Sequence, residues 1–253
     1  MGLFSFLGGN SDKKNTKNIS KAVQRLRSPA GQTQERLRMV ELLTEIGTPE
    51  AVSGLLVRFT MRTPGSIVDE DEKQTTYNSL LRLGDVCVEP LKTFIKTDAN
   101  IYWPLRALTE IAGVDVAVET LLESLQSAEH GFAADMERRE QLVSNLREYH
   151  SSDRAFQKLV ELTTDESDEV RILAIDGLTE FDRPEVPRVL ATCLCVPDQS
   201  QRVRSTVLDI LVDREIDMSV FRDEIRPWVS GDYVLDNAGR VRRSFDASQS
   251  DDG

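Results

Sequence analysis

Few side chains in this sequence are of the types that perform catalysis or bind metals. The chain has two histidines, His130 and His150, and three cysteines, Cys87, Cys193 and Cys195. Neither histidine has another donor at ligand spacing, and a zinc site needs three or four close donors. The sequence therefore predicts no metal site, no cofactor and no catalytic residue.

The cysteines are expected to be structural. Cys193 and Cys195 are two residues apart on a predicted helix, about 200° around its axis, so they cannot share a ligand. We expect one of them in the core and the other near the surface, and Cys87 as a buried thiol rather than a nucleophile. Three cysteines without a CxxC pair are typical of a reducing compartment, which predicts a cytoplasmic protein.

An acidic run is the first candidate for partner binding. It follows Pro64 and Gly65 in the longest interruption of the helical pattern, Thr60 to Glu72, and consists of Asp69, Glu70, Asp71 and Glu72. Insertions in repeat proteins form loops on one face, which is often the binding face. The alternative is a solvated loop whose acids stabilise the N-terminus of the next helix.

Two aromatic residues are the second candidate. Tyr102 and Trp103 lie between Ile101 and Pro104, and Tyr and Trp are enriched at binding hot spots. The alternative is packing at a helix start, because Pro104 is suited to a first turn.

The elements that must position these residues are repeated helix pairs. Between Arg36 and Val229 an amphipathic helix, a short turn with Gly, Asp or Pro, and a second amphipathic helix recur about six times. Each such unit buries its apolar stripe only by stacking on its neighbours. The sequence thus predicts an all-α fold, one continuous α-solenoid over residues 19–230.

The two ends depart from this repeat. Residues 1–18 are predicted to be a flexible N-terminal segment, with a short helix from Ile19 onward. Residues 231–243 resemble two short strands around a turn, which predicts a small β-hairpin that caps the last repeat. Residues 244–253 are predicted to be a disordered tail.

The repeat has a recognisable motif. Val170-Arg171 and Val203-Arg204 each follow a polar or acidic stretch and open an Ala- or Leu-rich helix, and Leu105-Arg106 is a variant. This pattern resembles HEAT repeats, specifically the short HEAT-like repeats of the phycobilisome-lyase type. The resemblance implies two layers of antiparallel helices in an α-α superhelix, with the second helices lining a concave surface.

The arginines of this motif recur at equivalent positions. For Arg106, Arg171 and Arg204 the recurrence favours a ladder of ion pairs with acids of adjacent repeats. Anion binding along a groove is the alternative.

Charge is distributed unevenly. The chain has a net charge of −12, but residues 1–29 contain six basic side chains and one acidic one, a net charge of +5, which leaves −17 on the rest. An acidic body repels phosphate backbones and disfavours nucleic-acid binding. We expect instead a protein partner with a basic surface and binding that weakens with salt.

The first seven residues are apolar. Leu3, Phe4, Phe6 and Leu7 precede a cluster of lysines and could insert into an anionic membrane surface. Alternatively this segment docks on the first repeat.

The predicted function is a non-catalytic scaffold or adaptor that binds a partner protein on its concave surface. Two alternatives remain. The first is a lyase-like accessory protein that acts on a chromophore-bearing partner, and the second is an adaptor recruited to membranes by residues 1–7. The sequence leaves the oligomeric state open.

Overall fold

The computed structural model describes residues 8–28, 31–128 and 133–244, which are mostly helical and end in a two-stranded hairpin. The all-α prediction is confirmed at this level. The chain divides into two compact units, Met1–Ser127 and Ala128–Gly253. Among the helices of the described ranges, none combines the length and the apolar character needed to cross a bilayer.

The first unit consists of helices joined by short turns. In chain order these are α1 (Gly8–Leu26), α2 (Thr33–Ile46), α3 (Pro49–Leu56), α4 (Ser66–Leu83), α5 (Val88–Thr97), α6 (Tyr102–Ala112) and α7 (Val114–Ala128). Short 3₁₀ turns at Val57–Thr60 and Gly84–Cys87 precede α4 and α5.

The α2–α3 turn shows how local sequence produces a helix pair. Gly47 adopts φ 62° and its N–H donates to the carbonyl of Leu43 at 3.1 Å, which ends α2. A left-handed residue at this position is tolerated best by glycine. The Thr48 hydroxyl then accepts from the backbone N–H of Ala51, and Pro49 occupies the first turn of α3. The chain therefore reverses within two residues.

Successive helices of the first unit pack in order. α2 packs against α4 and α4 against α6, while α3 packs against both α2 and α5. The first helices of the pairs thus contact one another, as do the second helices α3 and α5. This sequential packing agrees with the predicted helix pairs.

Helix α1 begins earlier than the sequence predicts. It starts at Gly8 rather than near Ile19, so residues 8–18 are helical instead of forming a flexible linker. Ala22 and Leu26 are buried where α1 packs on α2 and α3. Once these residues nucleate the helix, extension toward its N-terminus closes one backbone hydrogen bond for each added residue.

A glycine lets α1 approach α3 closely. A Cβ atom at Gly54 would lie 3.0 Å from Cγ2 of Val23 and 3.3 Å from Cδ2 of Leu43. The absence of a side chain at this position is therefore used for packing between α1, α2 and α3.

The second unit continues the pattern and then departs from it. Its helices are α8 (Ala133–Leu146), α9 (Asp153–Leu162), α10 (Asp168–Leu178), α11 (Val186–Leu194), α12 (Gln201–Asp213) and the single turn α13 (Arg222–Ile225). Helix α10 packs against α8, α9 and α12, and α11 packs against α12 and α13.

Serine N-caps open three helices of this unit. The hydroxyls of Ser152, Ser167 and Ser200 each accept from the backbone N–H three residues later, at 3.4, 3.5 and 3.2 Å. The sequence signal was present, because serine is among the preferred N-cap residues.

The last predicted helix is replaced by short turns. Instead of one helix over Val220–Trp228, 3₁₀ turns at Ser219–Phe221 and Arg226–Trp228 flank α13. Pro227 has no N–H to donate to a continuing helix, which explains the break. Val220 is 85% exposed, so it does not pack as predicted, whereas Ile225 is buried.

The C-terminal hairpin is confirmed. Strands β1 (Tyr233–Leu235) and β2 (Val241–Arg243) are antiparallel, with Val234 opposite Arg242. The Asp236 carboxylate accepts from the N–H groups of Ala238 and Arg240 in the turn, both at 2.9 Å.

The hairpin is attached to the end of the last repeat. β2 packs on α12, and the Tyr233 hydroxyl donates to Asp209 of α12 at 2.7 Å. The Met218 N–H donates to the Gly239 carbonyl at 3.1 Å. Apart from Ser244, the predicted disordered tail 244–253 lies outside the described residues.

Candidate partner-binding site

The acidic run 69–72 is not a surface loop, because α4 begins at Ser66 and includes all four acids. Asp69 and Glu72 are buried, and Glu72 is only 1% exposed. Glu70 and Asp71 are exposed, on the opposite side of the same helix. Only these two acids are available to a partner, and their binding role stays a prediction.

Glu72 is held between two buried arginines. Arg36 of α2 donates to both of its carboxylate oxygens, with Nε at 2.9 Å from Oε2 and Nη2 at 2.7 Å from Oε1. Arg58, which is 0% exposed, donates from Nε to Oε2 at 2.9 Å. Arg36 is therefore paired with Glu72 in bidentate fashion and Arg58 adds one further hydrogen bond, so the buried charges compensate one another.

Asp69 extends this network to the turn before α4. Arg58 Nη2 donates to Asp69 Oδ1 at 2.7 Å, and Lys73 Nζ lies 2.6 Å from Oδ2. The backbone N–H of Thr63 also donates to Oδ1, at 2.8 Å, and Arg58 Nη1 donates to the Met61 carbonyl at 3.2 Å. The network thus fixes the segment that the sequence predicts as a loop.

Three groups of this network, Asp69, Glu72 and Arg36, have pKa values shifted in favour of their charged forms. Burial alone would raise the pKa of Asp69, but hydrogen bonds from Lys73, Arg58 and Thr63 outweigh it and hold that pKa well below its usual range. In Glu72 burial is likewise outweighed by the two arginines, so its pKa is lowered. The hydrogen bond to Glu72 raises the pKa of Arg36. The two carboxylates stay deprotonated and Arg36 stays protonated throughout the neutral range. These groups are therefore suited to a structural role rather than to proton transfer.

Acid should therefore weaken the first unit. Because the pKa values of Asp69 and Glu72 are depressed by folding, their stabilisation is fully present above the unfolded values near pH 4. It is lost as the pH falls from there toward the folded values. We expect the fluorescence of buried Trp103, measured in a Trp228→Phe background, to shift to the red below about pH 4. Emission that stays constant down to pH 2 would contradict this.

The two predicted aromatic residues have different environments. Trp103 is 8% exposed, and its ring centroid is 5.4 Å from that of Tyr77 and 6.5 Å from that of Phe59. Trp103 therefore packs between helices, which is the alternative that the sequence left open. Tyr102 is 57% exposed, and partner binding by Tyr102 stays a prediction.

The motif arginines do not pair with acids of adjacent repeats. Arg171 donates to the carbonyl of Asp165 at 2.5 Å and pairs with Asp168 in its own helix. Arg204 donates to the carbonyl of Val196 at 3.0 Å. Each guanidinium reaches back to the loop before its own helix, where carbonyl groups have no helical partner.

Arg106 contacts aromatic rings, as Arg204 also does at 4.7 Å from the ring centroid of Trp228. Its guanidinium lies over the rings of Tyr77 and Trp103, at 5.2 and 5.6 Å from their centroids. This cation–π contact explains the position without an acidic partner.

Other arginines form the ladder between neighbouring first helices. In the second unit Arg202 of α12 pairs with Glu169 of α10, and Arg214, just after α12, pairs with Glu180, just after α10, at 2.7 Å. Sequence reasoning missed these pairs because exposed helix positions hold charged residues whether or not a partner lies opposite.

The cysteines and His150 do not form a reactive cluster. Burial raises the pKa of Cys87 to about 11, and it also raises that of Cys193. Cys193 is buried and Cys195 partly exposed, as the sequence predicts. His150 is exposed after α8, and His130 lies outside the described residues. Among the side chains of the described ranges, no group of three or more potential metal ligands converges.

An open groove between α2 and α4 is the candidate binding site. It has a volume of about 580 Å³. Its lining includes Leu37, Arg38 and Glu41 from α2, and Thr75, Asn78 and Arg82 from α4. The groove lies between the first helices of two consecutive pairs, whereas the HEAT resemblance implies binding on the second helices.

Two arginines of this groove differ from most others in the protein. Arg38 and Arg82 are exposed, and within the described part of the chain neither forms an ion pair. Arg36, two residues before Arg38, is by contrast buried against Glu72. Sequence reasoning could not separate these cases, because position on the helix face decides which arginine meets an acid.

No family model matches this sequence, and no match was found among curated proteins. The resemblance to HEAT repeats thus depends on the residues and helix pattern described above. Residues 1–7, for which membrane contact was an alternative, lie outside the described residues.

Proposed function

We propose that this protein is a HEAT-like α-solenoid adaptor whose α2–α4 groove binds a partner protein. The observation that carries this proposal is a pair of exposed guanidinium groups in one groove, Arg38 and Arg82, for which the described residues supply no acidic partner. Arginine is enriched at binding hot spots and makes planar, bidentate contacts that add specificity. The two guanidinium groups of this groove can form hydrogen bonds and ion pairs with another molecule.

The remaining chemistry of the described residues supports binding rather than a reaction. The strongly perturbed carboxylates, Asp69 and Glu72, are buried and satisfied by cations. The Cys87 thiol is buried and has a raised pKa, which makes it a poor nucleophile. The adaptor function also agrees with the stacked helix pairs, which are typical of proteins that present extended binding surfaces.

Site-specific photo-crosslinking in cells tests this function. We would place a photoreactive p-benzoylphenylalanine at Asn78, which is exposed in the groove, and in a second variant at Ser53, which is exposed on the second helix α3. We expect a discrete protein adduct from position 78 and not from position 53. Adducts only from position 53 would favour the second-helix surface, and identical adducts from both positions would overturn a groove-specific function.

A further inference from the structure

The α2–α4 groove presents both hydrogen-bond donors and acceptors. The Thr75 hydroxyl donates to the Asp71 carbonyl at 2.8 Å and the Ser79 hydroxyl to the Thr75 carbonyl at 3.1 Å, so both protons are used within α4 while the hydroxyl oxygens can still accept. The Asn78 side-chain oxygen accepts from Gln74 at 3.0 Å, which leaves the Asn78 NH₂ group to donate. Arg38 and Arg82, by contrast, can only donate, so these two groups require acceptors from a ligand.

The charge of the groove is positive although the protein is acidic. Arg38 and Arg82 contribute two positive charges to the lining and Glu41 one negative charge. Arg106 on the neighbouring helix α6, outside the groove lining, lies over aromatic rings and has no carboxylate partner in the described ranges. Local charge of this sign attracts anionic groups even when net charge is negative, because salt screens distant charges.

Apolar surface lies beside these charges. Leu37 is half-buried and Val40 is buried, and both line the groove between the polar side chains. A ligand with an aliphatic side chain next to its anionic groups would bury this surface as well.

The isolated placement of the positive charges favours carboxylates over a phosphate backbone. Glu41 lies in the same groove, and Asp71 is exposed one turn before Thr75 on α4. A nucleic acid has closely spaced phosphates, which these acids would repel. A peptide can place single carboxylates opposite Arg38 and Arg82 and neutral residues opposite the acids.

We propose that the groove binds an acidic segment of a partner protein. Its carboxylates pair with Arg38 and Arg82, and an aliphatic residue contacts Leu37. This inference rests on the proposed function and names the chemistry of the partner. It differs from the basic partner that net charge predicts.

Selection from a random twelve-residue peptide display library tests the proposal on the full chain. We expect enrichment of peptides with two or more Asp or Glu residues and an aliphatic residue. In fluorescence anisotropy, the Arg38→Glu/Arg82→Glu variant should bind the selected peptides at least about tenfold more weakly. Added salt should weaken binding to the unmodified protein.

A matched variant controls for overall charge. Arg27→Glu/Arg62→Glu changes the net charge by the same amount at exposed positions outside the groove lining. We expect it to bind the selected peptides within about twofold of the unmodified protein. Enrichment of basic or neutral peptides, equal losses in both variants, or no peptide that depends on Arg38 and Arg82 would overturn the proposal.

The identity of the crosslinked partner segment distinguishes failure of the acidic-ligand proposal from failure of the proposed function. Mass spectrometry of the adduct at position 78 identifies the partner segment in the groove. An acidic segment supports both proposals. A basic or neutral segment leaves the binding function standing and overturns the acidic ligand, whereas loss of the position-78 adduct removes the function itself.

Discussion

The Glu72→Gln variant should lose about 3–5 kcal/mol of stability in the first unit. Glutamine nearly preserves the shape of the side chain but removes the charge that compensates Arg36 and Arg58. Both guanidinium groups are buried and donate to Glu72 over 2.7 to 2.9 Å. Removal of one partner from a buried ion network is costly because the remaining charges stay desolvated.

Hydrogen exchange followed by mass spectrometry measures this loss. The chain has two compact units, so a single unfolding curve would not assign the loss to one of them. We expect faster exchange in peptides from α2 and α4 and unchanged exchange in α10 and α12.

The control for this variant is a neighbouring acid. Glu70→Gln removes an exposed carboxylate two residues earlier on the same helix. Its effect should stay within about 0.5 kcal/mol, because surface substitutions away from special features are nearly neutral. Equal protection of α2 and α4 in the Glu72→Gln and Glu70→Gln variants would contradict a structural role for the network.

The Gly239→Ala variant should release the C-terminal hairpin from α12. Gly239 adopts φ +85°, and a Cβ atom there would lie 2.7 Å from the backbone nitrogen of Ser219 and even closer to its Cα. Backbone atoms cannot move aside as a flexible side chain can. The hydrogen bond from Met218 N–H to the Gly239 carbonyl should therefore break.

Tyrosine titration reports the release. Burial and the hydrogen bond to Asp209 raise the pKa of Tyr233 to about 12 in the attached hairpin. After release this pKa should return toward the ordinary value near 10, as seen in the ultraviolet absorbance of tyrosinate. Because folding raises this pKa, the attached hairpin in the unmodified protein should weaken as the pH rises from about 10 through 12.

Gly231→Ala separates the steric effect from backbone strain. Gly231 also has a positive φ, +72°, but no atom lies within 4 Å of the Cβ position. Alanine there should cost only the 1–2 kcal/mol or so of a left-handed residue, and Tyr233 should keep its raised pKa. If the pKa of Tyr233 stays near 12 in the Gly239→Ala variant, the hairpin accommodates the added side chain and this prediction is wrong.

Several features of the fold follow from local sequence. The spacing of apolar residues predicts the helix pairs, and Gly47 with Pro49 predicts the first turn. The strand pattern near Tyr233 and Val241 predicts the hairpin. In each case the determining interactions lie within a few residues of one another, so they are readable from sequence.

The structure differs from the sequence-based prediction mainly where distant residues determine the local conformation. Residues 8–18 are polar by composition, but α1 includes them because Ala22 and Leu26 pack on α2 and α3. The break in the final helix is an exception, because its cause is local: Pro227 has no N–H to donate within a continuing helix.

The sequence by itself determined most of the helix pairs and which side of each of their helices is apolar. Tertiary structure alone decided which charges are buried and which are free. Glu72 meets Arg36, 36 residues earlier, and Arg58, 14 residues earlier. Arg38 and Arg82 meet no acid within the described ranges and remain exposed in the groove. Buried and exposed charged residues cannot be distinguished from the sequence, because the packing of separate helices sets both the partner and the exposure of each residue.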